Sequence, residues 1–138
     1  MTIKVMYKSK KNNKKVALAI AEELGVQAES IDGARDVQAD ILFLGSAILG
    51  GNVAPAVERF AEGLDKDKVK TVVLFSSNGF GTDQFGPLKE KLAAKGVKVY
   101  DSVFSCKGSA FFFKNRGKPG KEELSAARQF AREAIGNI

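Results

Sequence analysis

The 138 residues include no histidine, no tryptophan and a single cysteine, Cys106. Without histidine there is no Ser-His-Asp triad, no imidazole general base and no His-ligated metal. One cysteine excludes an internal disulfide and any multi-cysteine zinc or iron–sulfur site, and a lone, partly buried structural thiol is ordinary in a reducing compartment. No apolar run reaches the roughly 20 residues that a membrane-spanning helix needs. The opening Met1-Thr2-Ile3-Lys4-Val5-Met6-Tyr7-Lys8 is too short and too interrupted for a signal peptide. A cytoplasmic protein is expected, with no membrane among its partners. Composition shifts, internal repeats and low-complexity tracts are also missing, so residues 1–138 read as one domain.

Apolar residues make up 44% and charged residues 28%, ordinary values for a folded soluble chain. A domain of this length buries about two-thirds of the surface of its unfolded chain and stands without staples. The net charge is +6, from 22 Lys plus Arg against 16 Asp plus Glu. A basic balance admits nucleic acid, a membrane surface, a phosphorylated ligand or an acidic protein. The usual nucleic-acid signatures are missing, and the lysines gather at one point rather than along a groove, so nucleic acid is not an expected partner.

Apolar runs and helical patterns alternate from end to end. Ile3–Tyr7, Val26–Ile31, Asp40–Gly45, Val69–Phe75 and Val97–Phe104 read as strands; the third is near-continuously apolar, as in a strand covered on both faces. Val16, Ile20 and Leu24 trace a helix stopped by Gly25. Pro55 opens a second helix through Val57, Phe60, Ala61 and Leu64. Phe85, Leu88 and Leu92 mark a third, and Leu124, Ala127, Ala131, Ala134 and Ile135 a closing one. Residues 32–39 are too few for a long helix, so that crossover should be abbreviated. Such alternation predicts an α/β domain, a five-stranded parallel sheet with helices on both faces.

In an open parallel sheet, ligands bind beyond the carboxyl ends of the strands. Three strand-end loops are therefore candidates: Lys8–Lys14, Ser46–Asn52 and Ser76–Asp83. The first is the most informative, because Lys8, Lys10, Lys11, Lys14 and Lys15 surround a helix start. A helix N-terminus is positive, and each cation there costs about 0.3–1 kcal/mol at low salt. The arrangement makes sense if an anion sits on the turn, where free N–H groups and lysines converge; the alternative is a solvated, screened cluster. In the second loop Gly50 and Gly51 permit close approach of a flat ligand, or simply make a tight turn. In the third, Phe80 between Gly79 and Gly81 could stack on a ring or tuck under the loop.

Together these residues resemble a flavodoxin. Ser9-Lys10-Lys11-Asn12-Asn13-Lys14 stands where that family has a phosphate loop of the form Ser/Thr-x-Thr-Gly-x-Thr. DILFLGSAILGGNVAPAVERF (Asp40–Phe60) resembles its third strand and flavin loop, and VVLFSSNGFG its fourth strand and flavin-edge loop. The ending, Phe104-Ser105-Cys106-Lys107-Gly108 and then Gly117-Lys118-Pro119, is similar to the short bacterial group. The resemblance implies a three-layer flavodoxin-like sandwich with strand order 2-1-3-4-5. It also implies FMN as cofactor and electron transfer to or from a partner oxidoreductase, acidic ones among the partners. Ser9 would contact the phosphate, with backbone N–H groups of Lys10, Lys11, Asn12, Asn13 and Lys14 completing the cradle. Ala47, Ile48, Leu49, Gly50 and Gly51 would line one side of the flavin ring. Ser76, Ser77, Asn78, Gly79, Phe80 and Gly81 would line the other. No catalytic residue and no metal is implied, so a carrier or accessory redox subunit is expected rather than a stand-alone enzyme, as a monomer or weak dimer.

The departures from that pattern are specific. Lys11, Asn12 and Lys14 replace a Thr, the Gly and a Thr of the phosphate loop; Leu49 replaces a common aromatic; and the chain is basic where many relatives are acidic. Either lysines serve as point-charge phosphate ligands, or the flavin site is lost and the fold works as a protein-interaction module. A small FMN-dependent NAD(P)H or quinone reductase is a third reading. Phe111-Phe112-Phe113 falls in an irregular stretch, as a loop over the sheet edge or a partner surface. Arg128 and Arg132 read as a solvated helix face.

Overall fold

A computed structural model of the chain describes residues 1–8, 12–49, 52–78, 85–107 and 120–138, with positions 49, 77, 78, 106 and 107 described by backbone alone. Strand β1 (Ile3–Lys8) leads to helix α1 (Asn12–Leu24), then β2 (Ala28–Ser30) and β3 (Ala39–Ser46). A small hairpin, β4 (Ile48–Leu49) and β5 (Asn52–Val53), precedes α2 (Pro55–Glu62). β6 (Val69–Asn78), α3 (Gly86–Ala94), β7 (Lys98–Val99), β8 (Phe104–Lys107) and α4 (Lys121–Asn137) complete the chain. The main sheet is parallel throughout, in the order β2-β1-β3-β6-β7, with β8 also paired to β6.

β7 and β8 are two halves of one broken edge strand. Val72 lies opposite Val99 and Phe75 opposite Phe104. β6 thus advances three residues while its partner advances five, and two residues are looped out between the halves. Counting the halves together gives the expected order 2-1-3-4-5; the expected continuous strand over 97–104 is corrected to a broken one reaching Lys107.

Period-two alternation divides the sheet's side chains between two cores. Val5, Ile41, Phe43, Val73 and Phe75 face Val16 and Ile20 of α1 and Ala127, Ala131 and Ala134 of α4. Met6, Leu42, Leu44, Val72 and Leu74 face Val57 and Ala61 of α2 and Leu88 and Leu92 of α3. The alanines of α4 let it lie close to the sheet beside α1. Arg128 reaches Glu22 at 3.2 Å and Arg132 reaches Glu23 at 3.0 Å. The face is solvated as expected, Arg132 being exposed, and it also carries two ion pairs from α4 to α1.

The helix ends follow local chemistry. Gly25 takes φ of 71° after α1, and its N–H donates to the Glu22 carbonyl while Val26 N–H donates to Ala21. That is a Schellman closure, which needs a left-handed residue at this point. Glu122 and Glu123 open α4, and Glu123 Oε1 accepts from Gly120 N–H at 2.8 Å. Between β2 and β3 no helix forms among residues 32–38, as the short crossover predicts. Among the described residues no helix is long and apolar enough to cross a membrane.

Candidate functional site

The carboxyl edge of the sheet gathers the ends of β1, β3 and β6. Lys8 lies opposite Ser46, and Gly45 opposite Phe75. Gly45 is required by packing: a Cβ there would overlap the ring of the fully buried Phe75. Close approach of these strands sets the spacing of the loops that leave them.

Ser46 organises the second loop. Its side chain is buried, its Oγ donates to the Ala47 carbonyl at 2.8 Å and accepts from Ala54 N–H at 3.1 Å. One hydroxyl thus clamps both feet of the β4–β5 hairpin. Ile48 pairs with Val53 and Leu49 with Asn52, which leaves a two-residue connection. That connection is Gly50-Gly51 in the sequence, a dipeptide suited to the primed turns that close such hairpins; both residues lie outside the described ones. Val53 is buried and Ile48 is half-buried against the core under α2 and α3. Ile48 and Leu49 therefore lie on a short antiparallel ladder at this edge, with Ala47 just before it, rather than in an open turn. The clamp went unseen in the sequence; its one signal is a serine closing an otherwise apolar strand.

At the first loop the expectation needs adjustment. Asn12, Asn13 and Lys14 form the first turn of α1, not a loop, and Asn13 is 1% exposed. Lys14 and Lys15 are exposed there. α1 has no acidic residue in its first turn, whereas α2 and α4 do. Lys8 is not part of an unopposed cluster: its Nζ lies 2.7 Å from Asp32 Oδ1. The Lys8 hydrogen bond holds the Asp32 carboxyl below the usual carboxylate range. Ser9, Lys10 and Lys11 lie outside the described residues.

The third loop begins later than expected. Ser76, Ser77 and Asn78 continue β6, opposite Ser105, Cys106 and Lys107 of β8. The strand half after the break supplies a partner, so the ladder runs on where composition alone suggests a turn. Ser76 is buried, and Ser105 Oγ opposite it is buried with no hydrogen-bond partner among the described residues. Gly79, Phe80 and Gly81 lie outside the described residues, as does Phe111–Phe113.

Strand order, the helix-free second crossover and the hairpin after β3 can be set beside solved structures. The chain aligns with a flavodoxin from the domain Archaea at a TM-score of 0.73 and 20% identity, covering 99% of this chain and 98% of that one. The chain has the flavodoxin fold. A short-chain flavodoxin associated with a non-canonical PDU bacterial microcompartment aligns at 0.71 and 15% identity, over 99% of both chains. An NAD(P)H:quinone oxidoreductase from Methanothermobacter marburgensis shares the flavodoxin fold at 0.63 and 12% identity, over 96% of this chain and 98% of that one. No family model and no curated protein matches the sequence.

The carboxyl edge suits a ligand with an anionic tail and a flat body. Residues 8–15, 46–52 and 76–83, which span the three strand ends, contain five lysines and one acid, Asp83. α1 presents its amino end there with exposed Lys14 and Lys15, chemistry that fits a phosphate. The clamped hairpin and the end of β6 offer two backbone-rich walls, β4 lying against β6. The donor set therefore fits FMN, with lysines in place of hydroxyls at the phosphate end.

Proposed function

We propose that the chain binds FMN at the carboxyl edge of its sheet and passes electrons to or from a partner oxidoreductase. The observation that carries this reading is the acid-free, lysine-bearing start of α1 beside a hairpin clamped by Ser46. Ser9, Lys10, Lys11, Asn12, Asn13 and Lys14 would hold the phosphate through backbone N–H groups and lysine charge. Residues 47–51 and 76–81 would bracket the ring. Bound FMN supplies the electron chemistry; the chain's own residues bind it, orient it and exclude water around it. Ser46 keeps the hairpin in one position, so that wall is pre-organised before the ligand arrives. Lys14 and Lys15 hold positive charge near the site, which favours the more negative form of the bound ligand and hence a higher reduction potential than acidic surroundings give.

The test is direct. FMN titrated into the purified chain should lose its fluorescence stoichiometrically, and the bound form should show a shifted visible spectrum. Absence of quenching would leave the fold as a protein-contact module instead. Fold likeness to a quinone oxidoreductase supports a reductase as second reading; steady oxidation of NADPH by the FMN-loaded chain with a quinone present would favour it over a carrier. Replacing Lys11 and Lys14 by Thr separates the roles of charge and hydroxyl. If the lysines bind phosphate, affinity falls mildly and loses salt sensitivity; FMN binding by the Thr variant alone would mean that the natural site no longer takes flavin.

A further inference from the structure

Right-handed connections in this strand order send the segments after β2, β3 and β6 over the same face of the sheet. The last two carry α2 and α3; the first carries only an irregular strap. The strap is nonetheless fixed. Ile31 is buried, Ala34 and Val37 pack against the core beneath α2, and Ala34 N–H donates to the Ile31 carbonyl at 3.0 Å. Asp36 holds a left-handed φ of 51°, and Lys68 meets its carboxylate at 3.6 Å. A strap fills less space than a helix about 10 Å across, and a cleft of about 570 Å³ remains between it and the end of α2.

One wall of that cleft is apolar, with Phe60 and Leu64 from the α2 side and Val37 from the strap. Its acids are already engaged: Asp36 with Lys68, and Asp65 Oδ1 with Asp67 N–H at 2.8 Å. Arg35 and Arg59, one from each side, are exposed and make no ion pair or hydrogen bond among the described residues. The volume lies within the range of small-molecule sites, about 300–1,000 Å³. We propose that this cleft is a second binding site, for a small organic anion with an apolar body. The anionic group is taken by Arg35 and Arg59, whose forked donors match carboxylate, sulfonate or phosphate. The body lies on Phe60 and Leu64. The cleft is at the amino ends of β3 and β6, across the sheet from the candidate FMN site, so it does not depend on that reading.

The probe is 8-anilinonaphthalene-1-sulfonate, an aromatic sulfonate whose fluorescence rises on leaving water. Titrated into the full chain, it should saturate and shift the backbone amides of residues 34–37 and 59–65. Replacing both exposed arginines, Arg35→Gln with Arg59→Gln, should weaken binding about tenfold, the loss of roughly one charge-assisted contact, with the thermal midpoint and FMN quenching unchanged. The uncharged analogue N-phenyl-1-naphthylamine should bind no better than the probe binds the double variant. Equal binding of that amine, equal binding by the variant, or amide shifts confined to other regions would overturn the proposal. Inorganic phosphate binding as tightly as the probe would overturn the assigned ligand class.

Discussion

At the scale of single residues, two neighbours at the end of β3 do unlike work. Gly45 exists for the Phe75 ring, which is fully buried and has nowhere to swing. Gly45→Ala should therefore cost about 1–3 kcal/mol, as overpacking of a filled core does, read as a lowered denaturation midpoint with unchanged slope. A midpoint like the parent's would mean that the ring can yield. Ser46→Ala removes the acceptor of the Ala54 amide and the donor to Ala47 together. Leaving a buried N–H unpaired costs about 1–3 kcal/mol. The loss should concentrate in the hairpin, with faster hydrogen exchange at Ala54 and weaker FMN binding. Neither role was legible in the sequence. A glycine and a serine ending an apolar strand look like the start of a turn, and only the neighbouring strand and the returning Ala54 reveal what each one meets.

At the scale of elements, the sequence was most legible where packing and local chemistry agree. β3 and α1 follow from an unbroken apolar run and a 3.6-residue pattern ended by Gly25. The errors share one cause, a partner strand distant in sequence. Ser76–Asn78 look like a turn because they are polar, yet β8 pairs with them. Residues 97–104 alternate like one strand, yet two residues loop out opposite β6. There Tyr100 still donates its N–H to the Val72 carbonyl of β6 at 2.9 Å, while its ring meets Phe130 edge-on at 6.2 Å and its hydroxyl accepts from Asn137. The helices carry their own tests. Lys91 of α3 reaches Glu62 at 3.2 Å and Glu58 at 3.5 Å on α2, and the Glu62 hydrogen bond raises its pKa above the usual lysine value. A raised lysine stabilises the fold below its unfolded value of about 10.4 and stops doing so as pH rises through the folded value. The parent should therefore lose thermal stability on that alkaline limb more steeply than Lys91→Met. At α1 the two roles of charge oppose each other. Changing Lys14 and Lys15 to Glu places acid at a positive helix end, worth about 0.3–1 kcal/mol each in stability, while opposing a bound phosphate. The FMN-free variant should melt higher and bind FMN more weakly. If no phosphate is bound at this helix end, the first effect would appear without the second.

At the scale of the whole molecule, the net charge of +6 is unevenly placed. The three segments at the carboxyl edge hold five lysines and one acid, Asp83, leaving 17 Lys plus Arg against 15 Asp plus Glu elsewhere. Asp32 takes up one of the five through Lys8, so the edge stays positive without holding its full formal charge. Exposed charges of one sign steer an oppositely charged reactant and act over about a Debye length, roughly 10 Å at 0.1 M salt. A carrier reading makes that steering measurable without knowing the partner. Reoxidation of the reduced, FMN-loaded chain by ferricyanide, an anion, should slow as salt is added. Reoxidation by hexaamminecobalt(III), a cation, should quicken. Acid at Lys14 and Lys15 should flatten or reverse both trends, since it changes the field at the edge from which electrons leave. The Arg35→Gln, Arg59→Gln variant removes the same sign of charge from the opposite edge and should leave both trends nearly intact. A response of the arginine variant about half that of the lysine variant, in proportion to a charge change of two against four, would mean that net charge, rather than its placement at the carboxyl edge, governs encounter.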